Sequence, residues 1–245
     1  MIQTAKDRLI IALDVETADR ALVLFDLLKD SAAMFKIGMQ LFTAAGPEIV
    51  RQIIKRGGRV FLDLKYHDIP NTVAAAGIEA TRLGVSIFNL HAIGGVEMMK
   101  RTAAAVAETA GRESLARPAV IAVTALTSLD SEALNQVGIQ TEPRSLVKRL
   151  ARTAFESGLD GVVASPQEIE IIRHEVEDPR FIVVTPGIRP RGASSDDQRR
   201  TTTPADAIRA GADYIVIGRP VLDAPDPVSS AREVMAEIDS VISSR

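Results

Sequence analysis

The chain of 245 residues contains no cysteine. That excludes disulfides, thiolate metal sites and cysteine nucleophiles, and it fits a reducing compartment. Histidine is scarce: His67, His91 and His174 are the only three, too few for a histidine-rich metal cage. Charge of one sign is also lacking. The formal net charge is −3, so there is no global basic field to attract nucleic acid, although local basic groups could still hold a phosphate. No apolar run approaches the roughly 18 residues that would suggest a membrane span. The opening MIQTAKDRLIIALD lacks the apolar core and cleavage pattern of a secretory signal. A soluble, cytoplasmic α/β protein is the expectation, with no nucleic acid and no membrane as partner.

What is present is alternation. β-rich runs are expected at Leu9–Asp14, Met34–Ile37, Arg59–Lys65, Val85–Leu90, Ala119–Thr124, Gly161–Ala164, Phe181–Thr185 and Tyr214–Ile217. Amphipathic stretches lie between them, at Ala18–Lys29, Thr43–Arg56, Val73–Arg82, Gly95–Thr109, Arg144–Glu156, Pro166–Arg173, Pro204–Ala210 and Val228–Ile242. Several end at a glycine-bearing turn, as at Gly84 and Gly211. Strict strand–helix alternation implies a parallel sheet with right-handed crossovers. About eight such units in a chain of this length favour a closed (β/α)8 TIM barrel; an open doubly wound sheet is the alternative. No Pro/Gly/Ser-rich linker divides the chain, so a single domain over residues 1–245 is expected. One long polar segment, Pro186–Thr203 (PGIRPRGASSDDQRRTTT), has neither helical nor strand period. Loops above about 12–15 residues are often lids or binding loops, the other possibility being a plain surface insertion.

A barrel keeps its chemistry where strands end. Strand 1 closes on Asp14, strand 2 carries Lys36, and strand 3 ends in Asp63 and Lys65 with His67 and Asp68 just beyond. Side chains alternate along a strand, so Asp63 and Lys65 share one side while Leu62 and Leu64 share the other. The leucines suit the layer under the helices, which aims the charges at the barrel axis. By the same logic Leu9, Ile11 and Leu13 face the helices, and Asp14 points inward with Ile10 and Ala12. Alternating Asp and Lys can neutralise one another. Such a network could serve only to close the barrel, but so many charges at one rim cost more than apolar packing would and are better explained by a ligand. Thr124, Thr127 and Ser128 follow strand 5, Arg189 follows strand 7, and Gly218 and Arg219 follow strand 8. Loops after strands 7 and 8 often hold phosphate in barrels; glycine allows close backbone approach and arginine offers a forked cationic donor.

With these residues in view, a resemblance emerges. DLKYHDIPNT (Asp63–Thr72) resembles the D-x-K-x-x-D-I-P-N-T signature of orotidine 5'-phosphate decarboxylases. TPGIRP (Thr185–Pro190), DQRR (Asp197–Arg200) and VIGRPV (Val216–Val221) are similar to that family's phosphate-loop segments, and ALD and FKIG fit strands 1 and 2. The resemblance spans about residues 8–222. It implies conversion of orotidine 5'-phosphate to UMP in de novo pyrimidine biosynthesis, without cofactor or metal. Lys65 would stabilise negative charge at C6 of the pyrimidine and then protonate it, and Asp63 would lie beside the substrate carboxylate. Lys36 would link the ribose to the Asp63–Lys65 network, while Asp14 would bind a ribose hydroxyl. Asp68, with Ile69 and Thr72, would come from the partner subunit of a homodimer with shared sites. Thr127 would contact the pyrimidine, and Arg189, Gln198, Gly218 and Arg219 would hold the phosphate, Gln198 from the closing loop.

The chemistry suits these residue types. Loss of CO₂ from C6 leaves an electron pair in an sp² orbital that no neighbouring carbonyl can delocalise. A fixed ammonium in a closed site of low dielectric is one remedy. Lysine serves better than arginine because it is a compact charge that can surrender a proton. His67 and His91 are expected to be structural, although His91 could approach the rim, and His174 belongs to a surface helix end. Two other readings stay open: a sister barrel acting on keto-sugar phosphates with Mg²⁺ and additional carboxylates, and a noncatalytic nucleotide sensor, which could dispense with Lys65.

Overall fold

The computed structural model describes residues 4–126, 129–190 and 202–243. Eight parallel strands follow one another around a closed barrel. They are β1 (Leu9–Ala12), β2 (Met34–Gly38), β3 (Val60–Tyr66), β4 (Ile87–His91), β5 (Ala119–Val123), β6 (Gly161–Val163), β7 (Ile182–Thr185) and β8 (Tyr214–Ile217). β8 pairs back onto β1, with Ile10 opposite Val216, which rules out the open sheet. The strand–helix repeat therefore closes on itself, and no edge is left over among the eight strands of the described residues.

Alternation along each strand sorts the core into two layers. Inside the barrel lie Ile10, Ala12, Met34, Phe61, Ile87, Ile121, Val184, Tyr214 and Val216. Outside it, Leu9, Ile11, Leu13, Ile37, Leu62, Val162, Val183 and Ile217 pack under the helices. The parity expected for β1 and β3 holds. The inner layer is a packed floor, not a pore, and it carries the site above it on a rigid, water-excluding base.

Helix boundaries differ from expectation in ways proline explains. Helices Pro70–Arg82, Pro143–Glu156 and Pro227–Ile242 each start on a proline that the sequence pattern had assigned to the preceding loop. Proline is at home in the first turn, where its missing N–H has no partner to lose. The stretch expected as one helix over Thr43–Arg56 is two, Met39–Ala45 and Glu48–Lys55. Gly46, at φ +64°, and Pro47 separate them. The expected helix at Pro166–Arg173 opens as a 3₁₀ turn and continues as Ile169–Glu175. Short helices at Ala5–Arg8, Ser131–Gln136 and Arg219–Leu222 had no periodic signal, being too brief to show one. Gly84 and Gly211 do end helices at left-handed φ, +81° and +111°. No helix among the described residues is long and apolar enough to cross a membrane.

Candidate active site

The C-terminal ends of the strands ring a cavity of about 350 Å³. Its charged lining is Asp14, Lys36, Asp63, Lys65, Arg189 and Arg219, with Gly187 and Gly218 among the backbone contributors. Ala12 and Phe61 form part of its base, and Val123, Ala125, Leu126, Val163, Ala164, Pro186 and Val216 complete the wall. The size suits a drug-sized ligand in a mostly apolar pocket with a few convergent polar groups.

On one side the charges alternate in sign around β1, β2 and β3. Lys36 Nζ donates to Asp14 Oδ1 at 2.7 Å and stands 3.5 Å from Asp63 Oδ2. Lys65 Nζ donates to the other Asp63 oxygen, Oδ1, at 2.6 Å. Asp63 and Lys36 are each only 9% exposed, so the centre of this chain of charges is nearly dry, whereas Asp14 faces open solvent. Burial by itself would raise the Asp63 carboxyl. The fields of Lys36 and Lys65, with hydrogen bonds from Lys65 and Asn89, more than offset it and hold the group below its usual 3.8. Asp63 is thus an anion at neutral pH.

The backbone beneath this pair is irregular. Leu62 lies opposite Phe88 and Tyr66 opposite Leu90, so Asp63, Leu64 and Lys65 all stand against the single residue Asn89. The extra residues form a bulge, a device that re-aims side chains near active sites. Lys65 has φ +52°, in the left-handed region that a lysine avoids. Such a conformation costs about 1–3 kcal/mol and persists only where its surroundings enforce it. Asn89, fully buried, accepts the Lys65 N–H at its Oδ1 (2.8 Å) and donates from Nδ2 to Asp63 Oδ1 (2.7 Å). The sequence reading missed Asn89. Its signal was an amide between Phe88 and Leu90 in an otherwise apolar run, on the inward parity of Ile87.

Across the cavity, Arg189 is buried, and its Nη1 donates to the Ile188 carbonyl at 3.1 Å. Its backbone N–H donates to the Thr202 carbonyl at 2.9 Å, and Ile188 bridges Thr202 in parallel. The two ends of the long polar segment are therefore fastened together at the rim. Gly38 keeps the first strands' charges uncrowded: a methyl there would sit 3.0 Å from Lys36 Nζ and 3.2 Å from Asp14 Oδ1. At Gly218 a methyl would make only ordinary contacts with Ala12 and Asp14.

Seven expected site residues thus converge: Asp14, Lys36, Asp63, Lys65, Arg189, Gly218 and Arg219. Thr127 and Gln198, like Ser128 and the DQRR segment, lie outside the described residues. Asp68, Ile69 and Thr72 do not line this cavity. They are exposed, and Asp68 Oδ1 accepts the N–H of its neighbour Ile69 at 2.6 Å. Asp68 and Ile69 instead border a shallow groove with His67, Pro70, Ile93 and Gly94. His91 stacks obliquely on His67, ring centres 5.5 Å apart. Burial first, then His67 and Lys65, lower its pKa, so it is a neutral imidazole at pH 7. Thr124 is buried and bonds the Val163 carbonyl, so it is a strand-end tie and not a cavity group. Among the described residues, no three His, Cys, Asp or Glu side chains converge as a metal-holding group.

A closed parallel barrel with an alternating Asp–Lys array at its rim, sharing one cavity with two arginines, defines an enzyme of the (β/α)8 class. The chain matches the model of the orotidine 5'-phosphate decarboxylase / HUMPS family over residues 7–234 and belongs to that family. It is 55% identical over 238 residues to the orotidine 5'-phosphate decarboxylase of Moorella thermoacetica, covering 97% of this chain and 94% of that protein. Identity to the protein of the same name from Geobacter sulfurreducens is 54% over 235 residues, covering 96% and 97%. Among solved structures, orotidine 5'-phosphate decarboxylase from Lactobacillus acidophilus superposes with a TM-score of 0.83 at 33% identity, covering 95% of this chain and 99% of that one. An uncharacterized conserved protein from Geobacillus kaustophilus gives 0.81 at 35%, covering 94% and 99%.

Proposed function

We propose that this chain decarboxylates orotidine 5'-phosphate to uridine 5'-phosphate, with Lys65 as the group that receives the developing charge and supplies the proton. The observation that carries the reading is the Lys65 ammonium, held at the cavity by a 2.6 Å bond to a buried, ionised Asp63. In the proposed step the C6–carboxylate bond breaks and CO₂ departs, leaving both electrons on C6. The Lys65 ammonium faces that pair and transfers one proton to it, giving C6–H and a neutral amine that recovers its proton from solvent. The positive charge acts before the proton moves, because it is already fixed where negative charge develops and needs no reorganisation. Asp63 holds the ammonium in line and stands beside the substrate carboxylate, while Lys36 and Asp14 meet the ribose. Arg189, Gly218 and Arg219 grip the phosphate, with Gln198 from the long loop. Thr127 is assigned to the pyrimidine. No cofactor enters this scheme, and a cytoplasmic setting is part of it.

The reading includes a homodimer with shared sites. Asp68 does not line its own chain's cavity, and apolar Ile69 (66% exposed) and Ile93 (44%) share its groove, a surface suited to a second copy. Asp68, Ile69 and Thr72 then complete the site of the partner. The Mg²⁺-dependent keto-sugar-phosphate alternative needs additional carboxylates at the site, and among the described residues no such cluster converges there. Loss of orotidine 5'-phosphate absorbance, followed with EDTA-treated protein, tests the reaction: turnover is expected, with none on hexulose phosphates, and the converse result refutes it. Mixing inactive Lys65→Ala with inactive Asp68→Ala subunits tests the shared site. One intact site per mixed dimer should return part of the activity; no recovery means that Asp68 acts within its own subunit.

A further inference from the structure

Asn89 does not touch the cavity, yet both ends of its amide are committed to the groups that line it. Its orientation is forced. A backbone N–H can only donate, so Oδ1 must face Lys65; an ionised carboxylate can only accept, so Nδ2 must face Asp63. The bulge makes this necessary. Within the bulge, where three residues of β3 are set against one of β4, the Lys65 N–H goes to the Asn89 side chain. The same Asp63 oxygen receives both Asn89 Nδ2 and Lys65 Nζ, which fixes the direction of the Lys65–Asp63 bond.

We infer that Asn89 is a positioning residue for the decarboxylation: it clamps the β3 bulge in the form that aims the Lys65 ammonium and the Asp63 carboxylate into the cavity. The inference rests on the decarboxylase reading and adds to it a residue outside the substrate's reach. Leucine at this position keeps the branching and the heavy-atom count but loses both hydrogen bonds, so Lys65 is free to leave φ +52° and swing from its aligned direction. Misalignment of a transition-state contact lowers kcat while leaving affinity for the phosphate and ribose, held elsewhere, nearly intact.

The test compares full-length Asn89→Leu and Asn89→Asp with wild type in kcat, KM, UMP affinity, thermal midpoint and pH profile. For Asn89→Leu, kcat should fall by about 10²-fold, the scale for loss of one preorganised donor. KM and UMP affinity should change much less. The acid limb of kcat should move to higher pH, because Asp63 loses a donor to its charged form. Asn89→Asp should be at least as impaired near pH 8 and should regain activity towards about pH 6, where a carboxyl pressed against another carboxylate is protonated and can again accept from Lys65 and donate to Asp63. Wild-type kcat in Asn89→Leu, an unmoved acid limb, or a rise in KM at constant kcat would overturn the inference. Failure of both variants to fold would also overturn it, by making Asn89 a residue of the core. A wild-type chain that does not turn over orotidine 5'-phosphate would remove the decarboxylase reading itself, and the two failures are told apart by that control.

Discussion

The two halves of the barrel rim carry different kinds of side chain. β1 to β4 end in Asp14, Lys36, Asp63 and Lys65, braced by Asn89, and these groups bond mainly to one another. β5 to β8 offer Val123, Ala125, Val163, Ala164 and Val216, with the guanidinium groups of Arg189 and Arg219 at the edge. Alternating charges held in mutual contact cannot easily move, which suits a half that must present one ammonium to one carbon. An apolar wall with cations at its margin suits a half that grips an anionic tail and keeps water away from the rest. Under the proposed function the two halves divide the labour: geometry of charge on one side, binding energy on the other.

Breaking the first half should hurt the chemical step most. Lys65→Ala should lower kcat by about 10⁴-fold or more, since it removes both the proton donor and the fixed charge. The variant should still fold and bind UMP, as calorimetry and circular dichroism can check. Asp63→Asn comes next, with kcat down by about 10²–10³-fold, because buried Lys36 and half-buried Lys65 then face a neutral amide. Its stability has a pH signature. The folded-state pKa of Asp63 is depressed, so its ionisation stabilises the fold fully above the unfolded value near 3.8, and that stability is lost as pH falls through the lower folded value. The gap in urea midpoint between wild type and Asp63→Asn should therefore be widest near neutrality and narrow below pH 3.8.

The second half should respond in binding. Arg219→Ala should reduce kcat/KM for orotidine 5'-phosphate by about 10–100-fold, the scale of one charge-assisted hydrogen bond. It should leave the reaction of unphosphorylated orotidine unchanged, and an equal loss on both substrates would dissolve the proposed division. The smallest effect is expected for Gly38→Ala. The new methyl presses on the Lys36–Asp14 pair without removing either charge, so a severalfold drop, on the order of 1 kcal/mol, should appear in kcat/KM.

Much of this was legible in the sequence, for physical reasons that differ by residue. Period-two alternation is a strong signal, so the inward parity of Asp63, Lys65 and Asp14 and the outward parity of Leu62 and Leu13 could be read directly. Closure of the barrel followed from counting strand–helix units, and β8 does pair with β1. The bulge could not be read, because it is a mismatch between two strands and neither strand encodes it alone. Asn89 was hidden for the same reason: its partners are the backbone of Lys65 and the side chain of Asp63, 24 and 26 residues away. The split at Gly46-Pro47 was legible in principle, and apolar periodicity across it masked two breakers side by side. The clustering of Arg189 and Arg219 came from the rule for loops after strands 7 and 8, not from any pattern in those loops.

The central claim is that the Lys65 ammonium faces the carbon that loses CO₂. A crystal structure of the chain with UMP bound tests it most directly. The account predicts Lys65 Nζ within about 3–3.5 Å of C6, the separation of groups poised to react, and the phosphate against Arg189 and Arg219. UMP bound with C6 remote from Lys65, or with its phosphate on the Lys36–Asp14 side, would contradict it.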